Sequence, residues 1–306
     1  MPKTWTLPSI SDADLHEAER AILQAFDSRS TNGLNILGMG ELGLAIGWPT
    51  NTPVAVLKRQ APGPEAQLAA DMERMNKFNA ALSEAGALVI PTEVRTIRND
   101  CGAQIPYLIQ PVIDSEDLAE NVLAAAHPSP EDPILVSIRD TVVDVVTDGP
   151  SGGLSIDAQV TNFAWNGEDV VCLDTTPPLI WPAGNSPMDN VGNYLTAVPY
   201  LLRPAALHLT RKSGEDYRTV RGVLQQTAVY LMRIDQHRWV DSAIACFNEA
   251  LDIPLARTEV DDAFNRVIRD LPTIKRLARV QRLWATKVRK QRYEFFITNS
   301  FTGEIY

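Results

Sequence analysis

Three side chains that carry oxygen ligands are closely spaced in the middle of this chain. Asp157 and Asn162 lie just before the apolar run Phe163–Trp165, and Asp174 follows the apolar run Val170–Leu173. If the two runs pair about the intervening Asn-Gly turn, all three side chains come to one end of a hairpin. Carboxylate and amide oxygens suit hard cations such as Mg²⁺. The spacing therefore predicts a metal-nucleotide site, and an ordinary surface hairpin with turn aspartates is the competing interpretation.

A second pattern, Gly-x-Gly-x-x-Gly, is formed by Gly38, Gly40 and Gly43. In a dinucleotide-binding fold the third glycine opens a long helix, but Trp48-Pro49 stops such a helix within a turn or two. In a nucleotide-covering hairpin the glycines let backbone N–H groups approach phosphates, and a lysine on the next strand reaches the same phosphates. Lys58 ends the apolar strand that follows the glycine loop. We therefore favour a nucleotide-covering hairpin over a flexible hairpin with a solvated lysine.

The segment after Lys58 has helical periodicity from Pro64 to Ala85. A carboxylate on this helix would orient the lysine toward phosphate. Glu65 and Glu73 are the two candidates, and Glu73 is preferred because it lies further into the helix.

The wider pattern predicts an α+β fold. Ser11 and Asp14 form a capping pair at the start of a first helix. Strands around the glycine loop, followed by Leu88–Ile97 and Gln104–Val112, indicate a five-stranded antiparallel unit with one helix. The later helices are predicted at Ile134–Val146, at Glu215–Arg233, at Val240–Leu251, and from Thr258 onward with a break at Pro272.

The composition narrows the class of protein. The net charge of −10 argues against general binding to nucleic acid. Three cysteines, far apart in the sequence, match neither a disulfide framework nor a CxxC metal site. The start of the chain lacks a signal peptide, and no run reaches membrane-spanning length without charge or proline. We therefore expect a cytoplasmic protein without a membrane partner.

The end of the chain differs in charge from the rest. From Pro272 to Tyr306 there are eight Lys or Arg residues against two Glu, or +6, so the remainder carries −16. A solvated basic face is the default interpretation, and the alternative is a wall of a substrate cleft or a docking surface for an acidic partner.

The order of these parts resembles the protein-kinase-like superfamily, in particular aminoglycoside phosphotransferases and related small-molecule kinases. The resemblance covers residues 33–180 at the level of motifs. It implies a bilobal fold with a helical extension in 1–30, a small antiparallel nucleotide-covering lobe in 31–111, and a mostly helical lobe in 112–306 that contains the catalytic hairpin 152–178.

The resemblance also implies cofactors and residue roles. ATP or GTP, with Mg²⁺, would donate a phosphoryl group to a hydroxyl, or as the second choice an amine, of a small metabolite or natural product. The implied roles are phosphate cover by Gly38, Gly40 and Gly43; phosphate contact by Lys58, held by Glu73; adenine contact by backbone groups near Gln110 and Val112; the catalytic-base position at Asp157; and magnesium binding by Asn162 and Asp174.

Two departures from the family pattern bear on the reaction. Ser155-Ile156 precedes Asp157 where the family has His-Arg or His-Gly, and Thr175-Thr176 follows Asp174 where protein kinases have Phe-Gly. The second departure, together with the lack of an Ala-Pro-Glu motif after Asp174, favours a small-molecule enzyme over a protein kinase, and the first argues against regulation by a phosphorylated activation loop. The two departures also keep two alternatives open, which are a nucleotide-binding pseudokinase or scaffold and a kinase-fold enzyme that transfers another group such as AMP. A dinucleotide-dependent oxidoreductase ranks last.

Overall fold

The computed structural model describes residues 2–28, 30–39, 43–63, 65–99, 102–187 and 214–290. This part of the chain is a mixed α+β protein with antiparallel sheets and several helices, as predicted. Its α-helices are α1 (Asp12–Ser28), α2 (Glu65–Glu84), α3 (Ala119–Ala125), α4 (Pro133–Val145), α5 (Val220–Arg233), α6 (Val240–Asn248) and α7 (Arg257–Leu283). Shorter helical turns are Ser115–Asp117, Val160–Asn162, Glu215–Arg218, His237–Trp239 and the π-helical turn Trp284–Val288.

The strands form three sheets. They are β1 (Asn35–Met39), β2 (Gly43–Trp48), β3 (Ala55–Gln60), β4 (Leu88–Val89), β5 (Glu93–Arg98), β6 (Gln104–Pro111), β7 (Thr147–Gly149), β8 (Gly152–Leu154), β9 (Phe163–Trp165), β10 (Val170–Cys172) and β11 (Ile180–Pro182). The five-stranded sheet has the order β1-β2-β3-β6-β5, and the two smaller sheets have the orders β4-β10-β9 and β11-β8-β7.

The five-stranded sheet is antiparallel throughout. The prediction of one strand over Leu88–Ile97 is wrong, because this segment is two strands in different sheets. Its first part, β4, pairs in parallel with β10, and its second part, β5, pairs with β6. Pro91 lies between them and has no N–H to donate to a sheet, which ends the first strand.

Helix α1 packs on one face of the five-stranded sheet. Its predicted capping pair is present, since the backbone N–H of Ser11 donates to the Asp14 carboxylate over 2.9 Å and the N–H of Asp14 donates back to Ser11 Oγ over 3.2 Å. Burial alternates along β3, so Leu57 and Arg59 face α1. Lys58 points to the opposite face of the sheet.

The hairpin predicted in the middle of the chain is formed by β9 and β10. Its turn has four residues, and Asn166 Oδ1 accepts the backbone N–H groups of Glu168 and Asp169 over 2.8 Å each. Gly167 has a φ of +102°, which a residue with a Cβ rarely adopts. Beyond the strands, the N–H of Leu173 donates to the carbonyl of Asn162 over 2.7 Å, so the pairing extends to the polar end of the hairpin.

A second hairpin, β7–β8, was missed by the sequence pattern, which predicted only the end of a helix there. It pairs with β11, and Gly153 lies directly under the ring of Trp181. A Cβ on Gly153 would lie 2.1 Å from that ring, so only glycine fits. Two glycines in a three-residue strand give little strand propensity, which explains why the pattern failed.

The helices of the second half form a separate hydrophobic cluster with the β9–β10 hairpin. The predicted helix Glu215–Arg233 is interrupted at Thr219, whose Oγ1 caps α5 by accepting the N–H of Gly222 over 3.0 Å. The predicted break at Pro272 is wrong, because α7 runs through it. The proline lacks one N–H there without ending the helix. Among the described helices, none is both long enough and apolar enough to cross a bilayer.

Candidate functional site

Lys58 connects the five-stranded sheet to the β9–β10 hairpin. Its side chain is only 15% exposed. The Nζ atom donates a hydrogen bond to the backbone carbonyl of Leu173 over 2.8 Å and lies 3.8 Å from Asp174 Oδ2. The sequence places these residues more than a hundred positions apart, and the structure brings the lysine to the predicted polar end of the hairpin.

The structure does not bring Glu73 to Lys58. Glu73 is on the exposed side of α2, where its carboxylate forms a 2.7 Å ion pair with Lys77 one turn later. Glu65 is also exposed and faces an arginine of β5. Helical periodicity predicted α2 correctly but did not establish which face meets the sheet. The carboxylate that faces Lys58 is Asp174.

The predicted phosphate-covering glycines lie around the β1–β2 turn. Gly38 is in β1 and Gly43 is in β2, whereas Gly40 lies outside the described residues. A Cβ on Gly43 would lie 3.1 Å from the carbonyl oxygen of Arg59, so the chain is tightly packed there. At Gly38 the added atom would make an ordinary 3.8 Å contact. Cover of nucleotide phosphates by this turn remains a prediction.

The predicted adenine-contacting residues lie at the end of β6. The Gln110 side chain is buried and donates to Thr92 Oγ1 over 2.9 Å and to the Leu173 carbonyl over 3.0 Å. The same carbonyl therefore accepts hydrogen bonds from Lys58 and Gln110. Val112 follows the strand and is partly buried. Contact of this backbone with a base remains a prediction.

Asp157 is the centre of a hydrogen-bond network at the polar end of the hairpin. Its Oδ2 accepts from Gln159 Nε2 over 2.9 Å and from Asn162 Nδ2 over 3.2 Å. Its Oδ1 accepts from the hydroxyl of Tyr217 over 3.1 Å. These three donors fix the carboxylate, and none of them carries a charge.

The electrostatic surroundings leave Asp157 less acidic than usual. Burial raises the pKa of its carboxyl to about 6, and the negative charge of Asp174 adds to this rise. Hydrogen bonds from Tyr217, Gln159 and Asn162 act in the opposite direction but do not cancel it. Burial and the Asp157 charge in turn raise the pKa of Tyr217 well above its ordinary value, so this tyrosine remains a donor. Asp157 can therefore exchange a proton near neutral pH.

Asn162 and Asp174 each keep one oxygen for a cation. The Asn162 amide donates its Nδ2 to Asp157, over 3.1 Å to the carbonyl and 3.2 Å to Oδ2, which turns its Oδ1 away from these bonds. Asp174 Oδ1 accepts from the N–H and Oγ1 of Thr176 over 3.0 and 2.7 Å, and its Oδ2 faces Lys58. Mg²⁺ commonly takes one or two such protein oxygens and completes its shell with phosphates and water. The donor set fits that ion.

A metal site built from side chains alone is not found in the described residues, since no group of three or more His, Cys, Asp or Glu side chains is suitably placed there. Magnesium at Asn162 and Asp174 would thus depend on oxygens from a bound nucleotide.

Tyr217 is a residue of the candidate site that the sequence pattern missed. It lies in the turn Glu215–Arg218, 60 positions beyond Asp157. The pattern assigned this turn to a helix. A tyrosine just before the Thr219 cap was the available signal, but nothing in its neighbours connects it to Asp157.

Ser155 stands where the resembled family has histidine. It is fully buried, and its Oγ has no hydrogen-bond partner among the described residues. Its backbone N–H donates to the Leu179 carbonyl over 2.9 Å. The segment leading to Asp157 is thus held by backbone pairing, and Asp157 is oriented by Gln159, Asn162 and Tyr217.

A cavity of about 330 Å³ lies elsewhere, between α4 and the β9–β10 turn. None of the predicted site residues lines it. Its walls include Asp140, Asp144, Glu168 and Asp169.

Residues 54–186 match a family of unknown function, DUF6206. This similarity covers less than half of the chain. The matched range includes the positions from Lys58 to Asp174 that form the cluster and ends before Tyr217. None of the curated proteins matches the chain.

Proposed function

We propose that this protein is a phosphotransferase that moves a phosphoryl group from ATP or GTP to a hydroxyl of a small molecule. The observation that carries the proposal is the Asp157 carboxyl, whose pKa is raised to about 6, hydrogen-bonded to Asn162 in the same cluster as Asp174 and Lys58. Phosphoryl transfer needs such a set, because positioning and cancellation of phosphate charge supply most of the catalysis.

The proposal includes a bilobal, kinase-like arrangement of the chain. It is supported by an antiparallel five-stranded sheet with one helix, α2, between β3 and the later strands. The hairpin that carries the polar cluster then follows in sequence, and Lys58 of the sheet reaches that hairpin. Mostly helical structure follows the hairpin in the described residues.

Each side chain has a distinct task in the proposed reaction. Lys58 donates to phosphate oxygens, which requires it to leave or share the Leu173 carbonyl. Bound Mg²⁺, held by Asn162 and Asp174, would neutralise charge on the transferring group. Gln110 holds the Leu173 carbonyl from the other side and so keeps the hairpin end in place.

Asp157 is proposed to receive the acceptor. Each carboxylate oxygen accepts about two hydrogen bonds. Oδ2 already accepts two, whereas Oδ1 accepts one from Tyr217. The acceptor hydroxyl would therefore bind at Oδ1 beside Tyr217. There Asp157 orients it and accepts its proton as the new P–O bond forms and the bond from the γ-phosphorus to the departing nucleoside diphosphate breaks.

A second candidate is a nucleotide-binding pseudokinase. The observation that favours it is the position of Lys58, whose ammonium group donates to a backbone carbonyl and meets no helix carboxylate among the described residues. We place either activity in the reducing cytosol, with which the free thiols of Cys172 and Cys246 agree.

The deciding experiment is phosphate transfer from γ-labelled ATP and GTP across a panel of hydroxylated metabolites. We expect turnover that falls about 10²- to 10⁴-fold in Asp157→Asn, with a comparable loss in Asp174→Asn. The matched control is Glu73→Ala, since this exposed glutamate does not touch the cluster.

Calorimetry with Mg-ATP separates the two candidates. The phosphotransferase is supported if the wild type and Asp157→Asn both bind Mg-ATP and only the wild type turns over. Binding without turnover on any acceptor favours the pseudokinase. Full activity of both aspartate variants contradicts the assigned site.

A further inference from the structure

Arg233 lies beside the candidate site and is not used by the proposed chemistry. It is the last residue of α5, and its guanidinium Cζ lies 5.1 Å from the ring centroid of Tyr230. The Tyr230 hydroxyl accepts a hydrogen bond from Thr161 Oγ1 over 3.0 Å. Thr161 directly precedes Asn162. One tyrosine side chain therefore connects Arg233 to the segment that holds the polar cluster.

The charge of Arg233 has no carboxylate partner within the described part of the chain. Arginines at 59, 139, 218, 221 and 257 each form an ion pair at 2.5 to 2.7 Å with an acidic side chain. Arg233 is partly buried, and within the described ranges its guanidinium contacts only the Tyr230 ring. A cation at the end of a helix is favoured by the helix dipole, but that effect does not require the guanidinium to stack toward the cluster.

Electrostatics place Arg233 in the same neighbourhood as the reacting groups. Burial is the main cause that raises the pKa of both Tyr217 and Tyr230. The charge of Asp157 adds to this rise at both hydroxyls, and the charge of Arg233 opposes it at both. Glu120 also acts on Tyr230 but forms no ion pair with Arg233 among the described residues.

We propose that Arg233 is an anion-binding residue of the acceptor site, and that the acceptor is a small molecule carrying a hydroxyl and a carboxylate or phosphate. Guanidinium groups bind both anions with paired N–H donors. With its anion on Arg233, the ligand extends along Tyr230 and Tyr217 and presents its hydroxyl to Oδ1 of Asp157. The fate of that hydroxyl rests on the proposed phosphotransfer, whereas binding of the anion does not.

The test compares acids with their neutral counterparts by thermal stabilisation. The probes are glycerate against glyceramide, and glycerol 3-phosphate against glycerol, with other hydroxy acids and their amides added as matched pairs. A ligand that binds the folded state raises the melting temperature. We expect acids, but not neutral partners, to stabilise the wild type. Affinity should fall about ten- to hundredfold in Arg233→Gln, as for loss of a charged hydrogen bond, and Arg233→Lys should retain part of it.

The control is Arg20→Gln, which removes the same charge from an exposed position of α1, where the described partner of the guanidinium is the His16 carbonyl. It should bind acids as the wild type does. Unliganded melting curves check that each variant is folded, and Arg233→Lys serves if Arg233→Gln is not. The inference is overturned by equal stabilisation with acids and neutral partners, by unchanged affinity in Arg233→Gln, or by no stabilisation with any acid.

Failure of this inference is distinguishable from failure of the proposed function. If acids bind in a way that depends on Arg233 but no phosphate is transferred, the anion site is supported and the phosphotransferase proposal is contradicted. Phosphate transfer to neutral acceptors, at rates that Arg233→Gln does not change, does the reverse.

Discussion

Two carboxylates in this molecule each accept a hydrogen bond from a tyrosine, yet their surroundings shift the pKa of the two carboxyl groups in opposite directions. Glu19 accepts from Tyr107 over 2.6 Å and from the guanidinium of Arg59 over 2.7 and 2.9 Å. Asp157 accepts from Tyr217 and from two neutral amides. Burial acts to raise the pKa of Glu19, but the hydrogen bonds and charge of Arg59 hold it below the usual value, whereas the pKa of Asp157 is raised to about 6.

The difference is the presence of a cation. With Arg59 the buried carboxylate stays ionised and ties α1 to the sheet. Without a close cation, the Asp157 carboxylate keeps a proton equilibrium near neutral pH, as suits an acid or base. The first arrangement stabilises the fold, and the second leaves a carboxylate whose pKa is raised by burial, which lowers stability at neutral pH.

Glu19→Gln should have the largest effect on stability. It removes the buried carboxylate that pairs with Arg59, and we expect the free energy of unfolding to fall by about 3–5 kcal/mol. Urea denaturation followed by circular dichroism measures it. Asp157→Asn is the matched change at the other carboxylate and should lose far less. Equal losses of unfolding free energy in the two variants would contradict the assignment of Glu19 to stability and of Asp157 to the site.

The pH dependence of turnover should report Asp157. The proposed reaction requires the ionised form of Asp157, so kcat/KM should fall about tenfold for each unit below a pH of about 6. Stability should depend on Glu19 in a different pH range. Because the pKa of Glu19 is lowered in the folded state, its contribution to the free energy of unfolding is present above the ordinary glutamate pKa and is lost as the pH falls through the lowered value. A profile that stays flat to pH 5 with the enzyme folded would contradict the assignment of Asp157.

Tyr217→Phe and Tyr107→Phe should separate the two tyrosines. The Tyr217 hydrogen bond lowers the pKa of Asp157, so its loss should move the acidic limb to higher pH and reduce turnover about fivefold, the worth of one hydrogen bond. Tyr107→Phe should lower the melting temperature and leave the acidic limb in place. Steady-state kinetics across pH and thermal melts decide, and identical behaviour of both variants would speak against the comparison.

Glu73→Ala should have the smallest effect. Its ion pair with Lys77 is exposed on α2, and such pairs contribute little. Turnover, nucleotide affinity and melting temperature should match the wild type. A marked loss of nucleotide affinity would show that Glu73 reaches Lys58 in a conformation other than this one.

The polar cluster could be predicted where it depends on local sequence. The turn at Asn166-Gly167 sets the hairpin, and the spacing from Asp157 to Asn162 and Asp174 follows from it. Lys58 also lies where the alternation of β3 requires. The partner of Lys58 could not be predicted. The face of α2 that meets the sheet depends on tertiary packing, and the sequence alone does not show whether Glu65 or Glu73 lies on that face.

Long-range contacts account for the remaining differences. Tyr217 meets Asp157, and Tyr230 meets Thr161, only through the packing of α5 and the turn before it, which no short pattern encodes. Pro91 divides a segment that reads as one strand, and the pairing of β4 with β10 depends on residues far along the chain. The β7–β8 hairpin depends on Trp181, which lies over Gly153.

The carbonyl of Leu173 carries an evolutionary consequence. Because the atom that receives Lys58 and Gln110 belongs to the backbone, no replacement of the Leu173 side chain removes it. In relatives, position 173 should therefore vary among residues that fit its packing, while lysine at 58 and a long amide at 110 are retained or lost together. A comparison of related sequences would therefore reveal the two donor side chains, whereas the acceptor, a backbone atom, would not be visible in it.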